Sequence, residues 1–272
     1  MSKQTPETNK ITIRTLIQKK AKGEKITCLT AYDWLLATIL DQTGIDLVLV
    51  GDSASNVFAG HDTTLPITMD QMVYHTQCVS RGVKHALLIS DMPFLSYQTS
   101  LETAVTNAGR FMKEGGSEGV KVEGGEPIAE TIHRLVSVGI PVMGHLGLTP
   151  QSIKQFGGYR LQGKDAVDAE RMIADAKILE QAGAFAIVLE KIPADLGGEI
   201  SESITIPTIG IGAGPKCDGQ VLVTYDMLGM FEEFKPKFVR HYAQIGQAIR
   251  EAVQHYIEDI QCGKFPSEKE SY

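Results

Sequence analysis

The chain of 272 residues is 43% hydrophobic and 22% charged, with a formal net charge of −7, which is ordinary for a water-soluble globular protein. The lysines and arginines are scattered along the chain, which excludes a basic nucleic-acid footprint. No apolar run approaches the roughly 20 residues that span a bilayer. The polar N-terminus lacks the apolar core of a signal peptide. The four cysteines form no CxxC pair, so we expect reduced thiols and a cytoplasmic protein without nucleic-acid or membrane partners.

Short runs of strand-forming apolar residues recur along the chain, each followed by a longer segment. Residues 1–10 precede the first of these elements, and we expect them to be disordered. Uninterrupted apolar runs are typical of parallel strands, because both faces of a parallel sheet are covered. The pattern predicts eight strands, at residues 26–30, 47–50, 86–90, 119–122, 141–144, 185–189, 207–210 and 220–224.

Most of the segments around these strands have helical periodicity. Two of them, residues 54–68 and 146–164, do not, and we expect long loops there. An Asp side chain can accept the free N–H groups of a first helical turn, so Asp70 is the predicted cap of the helix that follows it. Predicted helices occupy residues 12–22, 33–42, 71–81, 101–113, 127–138, 165–182, 194–200 and 238–261.

Alternation of strands and helices defines an α/β protein. Eight strands in a chain of this size favour closure into a single (β/α)8 TIM barrel over residues 1–272, with an extra N-terminal helix and a long C-terminal helix, because such barrels have about 250 residues. A doubly wound open sheet is the alternative, but no GxGxxG motif follows the first strand.

Five polar side chains come directly after successive predicted strands. Asp52, Asp91, Glu123, His145 and Glu190 follow strands two to six, and in a barrel those positions share the catalytic face. Any one of them alone is also typical of a helix cap or a solvated loop. Four carboxylates on one face repel one another, however, and require a cation or shared protons.

The residue types at these strand ends indicate the chemistry of the expected site. Two Asp and one Glu without cysteine favour a hard cation such as Mg²⁺ over zinc, with some ligands acting directly and others through water. Lys121 lies two residues before Glu123, so both side chains point to the same face of the strand. An inward lysine needs an anionic partner, and a Schiff base is its alternative role.

Seven motifs, in chain order, carry a resemblance to one family. The chain resembles the ketopantoate hydroxymethyltransferases from about residue 10 to residue 266. It departs from many members at residues 54–56, where Ala-Ser-Asn replaces Leu-Gly-Met. The motifs are VGDS (50–53), GHDTTLPIT (60–68), DMPF (91–94), KVEGG (121–125), GHLGLTPQS (144–152), FGGY (156–159) and IGIGAG (209–214).

This resemblance implies a barrel of the phosphoenolpyruvate/pyruvate superfamily and a homo-oligomer, a decamer. It implies one Mg²⁺ per subunit, held by Asp52, Asp91 and Glu123, with Glu190 as the proton acceptor if burial raises its pKa. The implied reaction is a Mg²⁺-assisted enolate transfer of a hydroxymethyl group from 5,10-methylenetetrahydrofolate to 3-methyl-2-oxobutanoate in pantothenate biosynthesis. Substrate contacts are expected from five side chains, Asp52, Ser53, Asp91, Lys121 and His145.

Two other functions are weighed against this one. The first is a related barrel lyase that breaks a C–C bond in a 2-oxo or 2-hydroxy diacid, a chemistry for which the superfamily typically uses a loop cysteine. Residues 146–164 contain no cysteine, which argues against it. The second is a barrel that binds metabolites without turnover, which would require the loss of a strand-end acid.

Overall fold

The computed structural model of the chain describes residues 10–231 and 236–272. The predicted disorder of the N-terminus therefore concerns residues that, apart from Lys10, lie outside the described range. The chain divides into two compact units, the first ending at Val221 and the second beginning at Leu222. The expectation of a single domain over the whole chain stays a prediction.

Eight parallel strands form a closed barrel in sequence order, as predicted. Neighbouring strands are parallel in each recorded pair; Leu47 lies beside Leu87, for example, and Met143 beside Ala186. The strands are β1 Ile26–Thr30, β2 Leu47–Val50, β3 Leu87–Asp91, β4 Val120–Lys121, β5 Val142–Gly147, β6 Ala186–Glu190, β7 Thr208–Ile211 and β8 Gly219–Leu222.

Helices connect the strands of the barrel, and two further helices lie in the second unit. Three short non-α segments accompany them, a π-helical one at Phe111–Gly115 and 3-10 turns at Glu126–Ile128 and Pro150–Ser152. The α-helices are α1 Ile13–Lys22, α2 Trp34–Gln42, α3 Ala54–Val57, α4 Met69–Gly82, α5 Leu101–Arg110, α6 Ala129–Ser137, α7 Ile153–Phe156, α8 Ala166–Gln181, α9 Ala194–Ser203, α10 Thr224–Met227 and α11 Ile245–Gln261.

Both segments predicted as long loops contain short helices. One turn of helix, α3, directly follows Ser53, and α7 follows a 3-10 turn. Neither was visible as a hydrophobic period, because periodicity is detected only over windows of about 11 residues or more. The short helix α3 is built from local backbone bonds, among them Val57 N–H to Ser53 O.

Several predicted element boundaries were wrong, among them those of one helix cap, the C-terminal helix and one strand of the site. The cap of α4 is Thr68, whose hydroxyl accepts from Gln71 N–H in a capping box, and Asp70 lies instead in the first turn. The C-terminal helix begins at Ile245, not at residue 238. Strand β5 continues past the apolar run to Gly147, because its pairing with β6 extends that far, so His145 lies within the strand.

Alternation along the strands separates an apolar core from a polar mouth. Successive side chains of a strand point to opposite faces, and on β3 Leu87 and Ile89 belong to the barrel core. Asp91 is the next residue in that inward series. The same series on β5 leads from Met143, which also belongs to the core, to His145. Polar groups at the carboxyl ends of the strands therefore rest on a packed apolar floor.

Helix α1 contributes to the opposite end of this core, since Leu16 is fully buried within it and Ile13 packs against it. Lys20 fixes the helix, because its ammonium lies 2.9 Å from Asp218 and also donates to the carbonyl oxygens of Ser201 and Ile206. The predicted extra N-terminal helix thus belongs to the barrel.

The second unit is dominated by α11, in which no residue is buried. Tyr256 packs against Phe265 with ring centroids 5.7 Å apart. Other apolar side chains of the helix remain exposed, namely Ile249, Val253, Ile257 and Ile260. Among the described residues, no helix combines the length and apolar character that a membrane crossing requires.

Candidate active site

The structure brings five of the six predicted strand-end and inward residues into one buried cluster. Asp52, Asp91, Lys121, Glu123 and His145 are each at most 6% exposed. They come from β3, β4 and β5 and from the turns that follow β2 and β4. Glu190, the last residue of β6, approaches the cluster through His145. Six chemically active groups thus converge on the carboxyl end of the barrel.

Lys121 lies at the centre of this cluster. Its Nζ is 3.3 Å from Asp91 Oδ2, 3.6 Å from Glu123 Oε1 and 3.2 Å from His145 Nδ1. Burial alone would lower the pKa of Lys121, but Asp91, Glu123 and Asp52 outweigh it and raise the pKa above its usual value. The ammonium therefore stays charged, which disfavours the Schiff-base alternative.

The three carboxylates differ in how their charge is compensated. Burial, reinforced by repulsion from Glu123 and Asp91, raises the pKa of Asp52 well above its usual range. Burial also raises the pKa of Asp91, although Lys121 and the backbone N–H of Asp52 oppose the shift. Burial acts in the same direction on Glu123, but Lys121 and the adjacent His145 outweigh it and lower its pKa.

His145 connects the carboxylate cluster with Glu190. Its Nδ1 lies 3.3 Å from Glu123 Oε1, and its Nε2 lies 3.4 Å from Glu190 Oε2. Burial and Lys121 lower the pKa of His145, but the two carboxylates prevail and raise it to about 9. The imidazole therefore lies between two acids, although its Nε2 lacks a well-aligned hydrogen bond.

Ser53 stands beside the cluster at the start of α3. Its hydroxyl does not cap that helix but pairs with the Tyr32 hydroxyl at 2.8 Å. Tyr32 is itself buried. The carboxylate and the hydroxyl of the Asp-Ser pair are therefore each held from a different direction, Ser53 by Tyr32 and Asp52 by Gln151.

Glu190 occupies the more open side of the mouth. Its side chain is 15% exposed, compared with 3% for Glu123. The neighbouring strand passes very close, since a Cβ at Gly147 would come within 2.2 Å of the Glu190 carbonyl oxygen, and Gly147 has a φ of +90°. Only glycine allows β5 to pass at this distance in that conformation. The rim here includes Tyr159, whose ring is half exposed.

Sequence reasoning missed two residues of the site, Gln151 and Tyr97. Gln151 donates from its backbone N–H to Glu123 and from its side-chain amide to Asp52. Tyr97 accepts the backbone N–H of Glu123 and donates to the Gln151 side chain. The TPQS motif contains Gln151, but nothing in its spacing marks the residue as a partner of the acids.

The carboxylates suit a hard cation by their chemistry. Asp91 Oδ1 and Glu123 Oε1 are buried without a hydrogen-bond partner, and three acids outnumber the two cationic side chains beside them. Within residues 10–231 and 236–272, however, no three His, Cys, Asp or Glu side chains form a preformed metal cluster. In oxygen type and charge, the three carboxylates fit a hard cation such as Mg²⁺, which commonly keeps several water ligands.

Solved structures share the fold of this barrel. The chain aligns with 2,3-dimethylmalate lyase, described as a member of the PEP mutase/isocitrate lyase superfamily, at a TM-score of 0.61 over 96% of this chain and 91% of that one. Sequence identity is 15%, so the likeness shows the fold alone. Together with the closed eight-stranded sheet it confirms the predicted TIM barrel.

Sequence relatives define the family within that class. The family model of ketopantoate hydroxymethyltransferase matches residues 10–268. The chain is 58% identical over 266 residues to 3-methyl-2-oxobutanoate hydroxymethyltransferase of Chlorobaculum parvum, with 96% of each chain covered. It is 57% identical to the enzyme of the same name from Prosthecochloris aestuarii, with 100% of each covered. The chain therefore belongs to the ketopantoate hydroxymethyltransferase family, as predicted.

Proposed function

We propose that this protein transfers a hydroxymethyl group to 3-methyl-2-oxobutanoate, with 5,10-methylenetetrahydrofolate as the one-carbon donor. The C3–H bond of the oxo acid breaks and C3 forms a bond to the methylene carbon. Both C–N bonds that hold this carbon to the folate break, and water supplies the hydroxyl oxygen. The proton from C3 and one proton of the water balance the two N–H bonds that form on tetrahydrofolate. The products are 2-dehydropantoate and tetrahydrofolate. We further propose that the reaction takes place in the cytoplasm as a step of pantothenate biosynthesis.

Mg²⁺ is the cation we assign to the cluster, one per subunit, with Asp52, Asp91 and Glu123 as the residues that hold it. When bound, it supplies Lewis-acid stabilisation of negative charge on the ketone oxygen of the substrate. Two buried carboxylate oxygens without a hydrogen bond, Asp91 Oδ1 and Glu123 Oε1, support this assignment. A nearby cation also favours the ionised form of Asp52 and Asp91, whose pKa values burial otherwise raises.

Binding and orientation of the oxo acid fall to the side chains around the metal site. Lys121 offers a permanent positive charge to the substrate carboxylate or to charge that develops on its oxygen. Ser53 offers a hydroxyl whose direction is fixed by Tyr32. His145 and the two aspartates complete the wall against which the small substrate rests.

Glu190 is the proposed base that removes the C3 proton. Two observations support this role: the carboxylate stands on the open side of the mouth, and its Oε2 lies 3.4 Å from His145 Nε2. An imidazole N–H at this distance can orient one oxygen of the carboxylate while leaving the other oxygen for the substrate. General bases of this kind contribute about 10²–10⁴-fold to the rate.

One observation carries the proposal: the buried set of Asp52, Asp91, Glu123 and Lys121 at the carboxyl ends of adjacent strands, with the partly exposed carboxylate of Glu190 opposite. The test is a turnover assay with 3-methyl-2-oxobutanoate and methylenetetrahydrofolate, with and without Mg²⁺. We expect folate-dependent product that disappears when the protein is stripped of divalent cations with EDTA. Cleavage of an isocitrate-like diacid instead would favour the lyase alternative, and binding without turnover would favour a non-catalytic barrel.

We also propose a homo-oligomer, a decamer, in which α11 takes part in subunit packing. The helix leaves Ile249, Val253, Ile257 and Ile260 exposed, more apolar surface than a solvated helix needs. Truncation after Arg240 should lower the mass measured by light scattering. An unchanged mass would mean that the subunit contacts lie elsewhere.

A further inference from the structure

Gln151 uses its backbone N–H and both polar atoms of its side chain in hydrogen bonds to the candidate active site and the residues beside it. Its backbone N–H donates to Glu123 Oε2 at 3.0 Å. Its side-chain nitrogen donates to Asp52 Oδ2 and to the Met92 carbonyl oxygen, both at 2.9 Å. Its side-chain oxygen accepts from the Tyr97 hydroxyl at 2.9 Å and from Gln98 Nε2 at 3.0 Å. Gln151 is also buried.

The orientation of this amide is determined by its neighbours. Both atoms beside Nε2 are acceptors, so a flipped amide would set an oxygen against a carboxylate and a carbonyl. The Tyr97 hydroxyl has a single proton, and its oxygen already accepts the Glu123 backbone N–H at 2.9 Å. That proton therefore points to the Gln151 oxygen, the closer of the two acceptors near it.

These bonds link two carboxylates that follow different strands. A ring passes from the Glu123 backbone through Tyr97 to the Gln151 side chain and returns through the Gln151 backbone to the Glu123 carboxylate, and Nε2 of Gln151 connects this ring to Asp52. One oxygen of Asp52 and one oxygen of Glu123 are thereby occupied. The other oxygen of Glu123, Oε1, is left without a hydrogen bond and lies toward Lys121 and His145.

We propose that Gln151 is a positioning residue that fixes the Asp52 carboxylate against Glu123 and so prepares the site for a divalent cation and the oxo acid. The inference rests on the proposed function, because it assigns those acids to a Mg²⁺ site. Groups that orient metal ligands through hydrogen bonds typically change metal affinity by 10–100-fold when they are removed.

A purely structural role for Gln151 leads to a different expectation. The residue would then only tie the 3-10 turn Pro150–Ser152 to the barrel, and its loss would lower stability without changing ligand affinity in the folded protein. Positioning predicts the reverse pattern, with weaker Mg²⁺ binding and a higher KM for the oxo acid in a variant that is still folded. Affinity, measured without turnover, separates the two.

The experiment compares Gln151→Met and Gln151→Glu with the wild type in the full chain. Met keeps the length of the side chain without its amide, and Glu keeps an acceptor for Tyr97 and Gln98 but cannot donate to Asp52 when ionised. Titration calorimetry with Mg²⁺ alone should give a dissociation constant raised about 10–100-fold in Gln151→Met. The loss should be smaller in Gln151→Glu, because its added negative charge attracts the cation. Gln155→Met, on the exposed side of α7, is the matched control and should bind as the wild type does.

Each result decides for or against the inference. Wild-type Mg²⁺ affinity and KM in folded Gln151 variants overturn it. If neither variant folds, Gln98→Ala decides, because it removes one of the two donors that hold the amide oxygen; a severalfold loss of Mg²⁺ affinity supports positioning and an unchanged affinity contradicts it. A wild-type protein that neither binds Mg²⁺ nor turns over the oxo acid contradicts the proposed function itself, and the inference with it.

Discussion

The two sides of the barrel mouth are built differently. On one side Asp91 and Glu123 are buried around Lys121, with only 3% of either acid's side chain exposed. On the other side Glu190 ends β6 with 15% of its side chain exposed. His145 lies between them, with Nδ1 toward Glu123 and Nε2 toward Glu190.

In the proposed function, this difference separates binding from proton transfer. The carboxylates proposed to hold the cation are kept in position by hydrogen bonds from Gln151 and the Asp52 backbone and by the ion pair of Asp91 with Lys121. A base must instead reach a substrate atom, so it stands where the substrate enters. Substitutions on the two sides should therefore have different effects on the protein.

The largest effect is expected from Glu190→Gln on the open side. The amide cannot accept the C3 proton, so deuterium exchange at C3 of 3-methyl-2-oxobutanoate should fall by about 10²–10⁴-fold. Mg²⁺ and oxo-acid affinity should stay near wild type, because the buried side is untouched. The measurement is proton NMR of the oxo acid in D₂O, with Glu199→Gln on exposed α9 as the control. Exchange at the wild-type rate would remove Glu190 from the role of base.

Lys121→Met tests the buried side. Three carboxylates would be left without their central cation, and loss of one partner from a buried charge cluster typically costs about 3–5 kcal/mol. Urea unfolding at neutral pH without metal should show this loss, and added Mg²⁺ should recover part of it by supplying positive charge. Lys177→Met on exposed α8 should change the unfolding free energy little. If the Lys121 variant is as stable as the control, the three carboxylates are not all ionised at the same time in the metal-free protein.

The sequence predicted these two sides unequally. The acids were identifiable because apolar strands end at them, and the inward direction of Lys121 followed from its two-residue spacing to Glu123. The closed barrel followed from eight apolar runs in a chain of suitable length. These features depend on local pattern, which a single sequence displays.

Gln151 depends on tertiary contact and was therefore not predicted. It lies 99 residues from Asp52 in the chain, within a segment that has no hydrophobic period. Tyr97 likewise reaches Glu123 from the loop before α5. Even the placement of His145 inside β5 required knowledge of the pairing with β6, because the apolar run had already ended. A contact across the barrel produces no pattern in the residues adjacent to either partner in the sequence.

The bridging histidine gives the smallest of the three effects, a change in how stability depends on pH. The folded-state pKa of His145 is about 9, above the value of about 6.5 for an unfolded chain. Its contribution to the free energy of unfolding is therefore complete below about pH 6.5 and is lost as the pH rises through 9, and it amounts to roughly 3 kcal/mol at most.

In metal-free protein, wild type should lose unfolding free energy between pH 7 and pH 9.5 to a greater extent than His145→Asn does. His133→Asn, on the exposed side of α6, should follow the wild-type profile. Parallel profiles for His145→Asn and wild type would show that the imidazole does not carry a proton between the two acids.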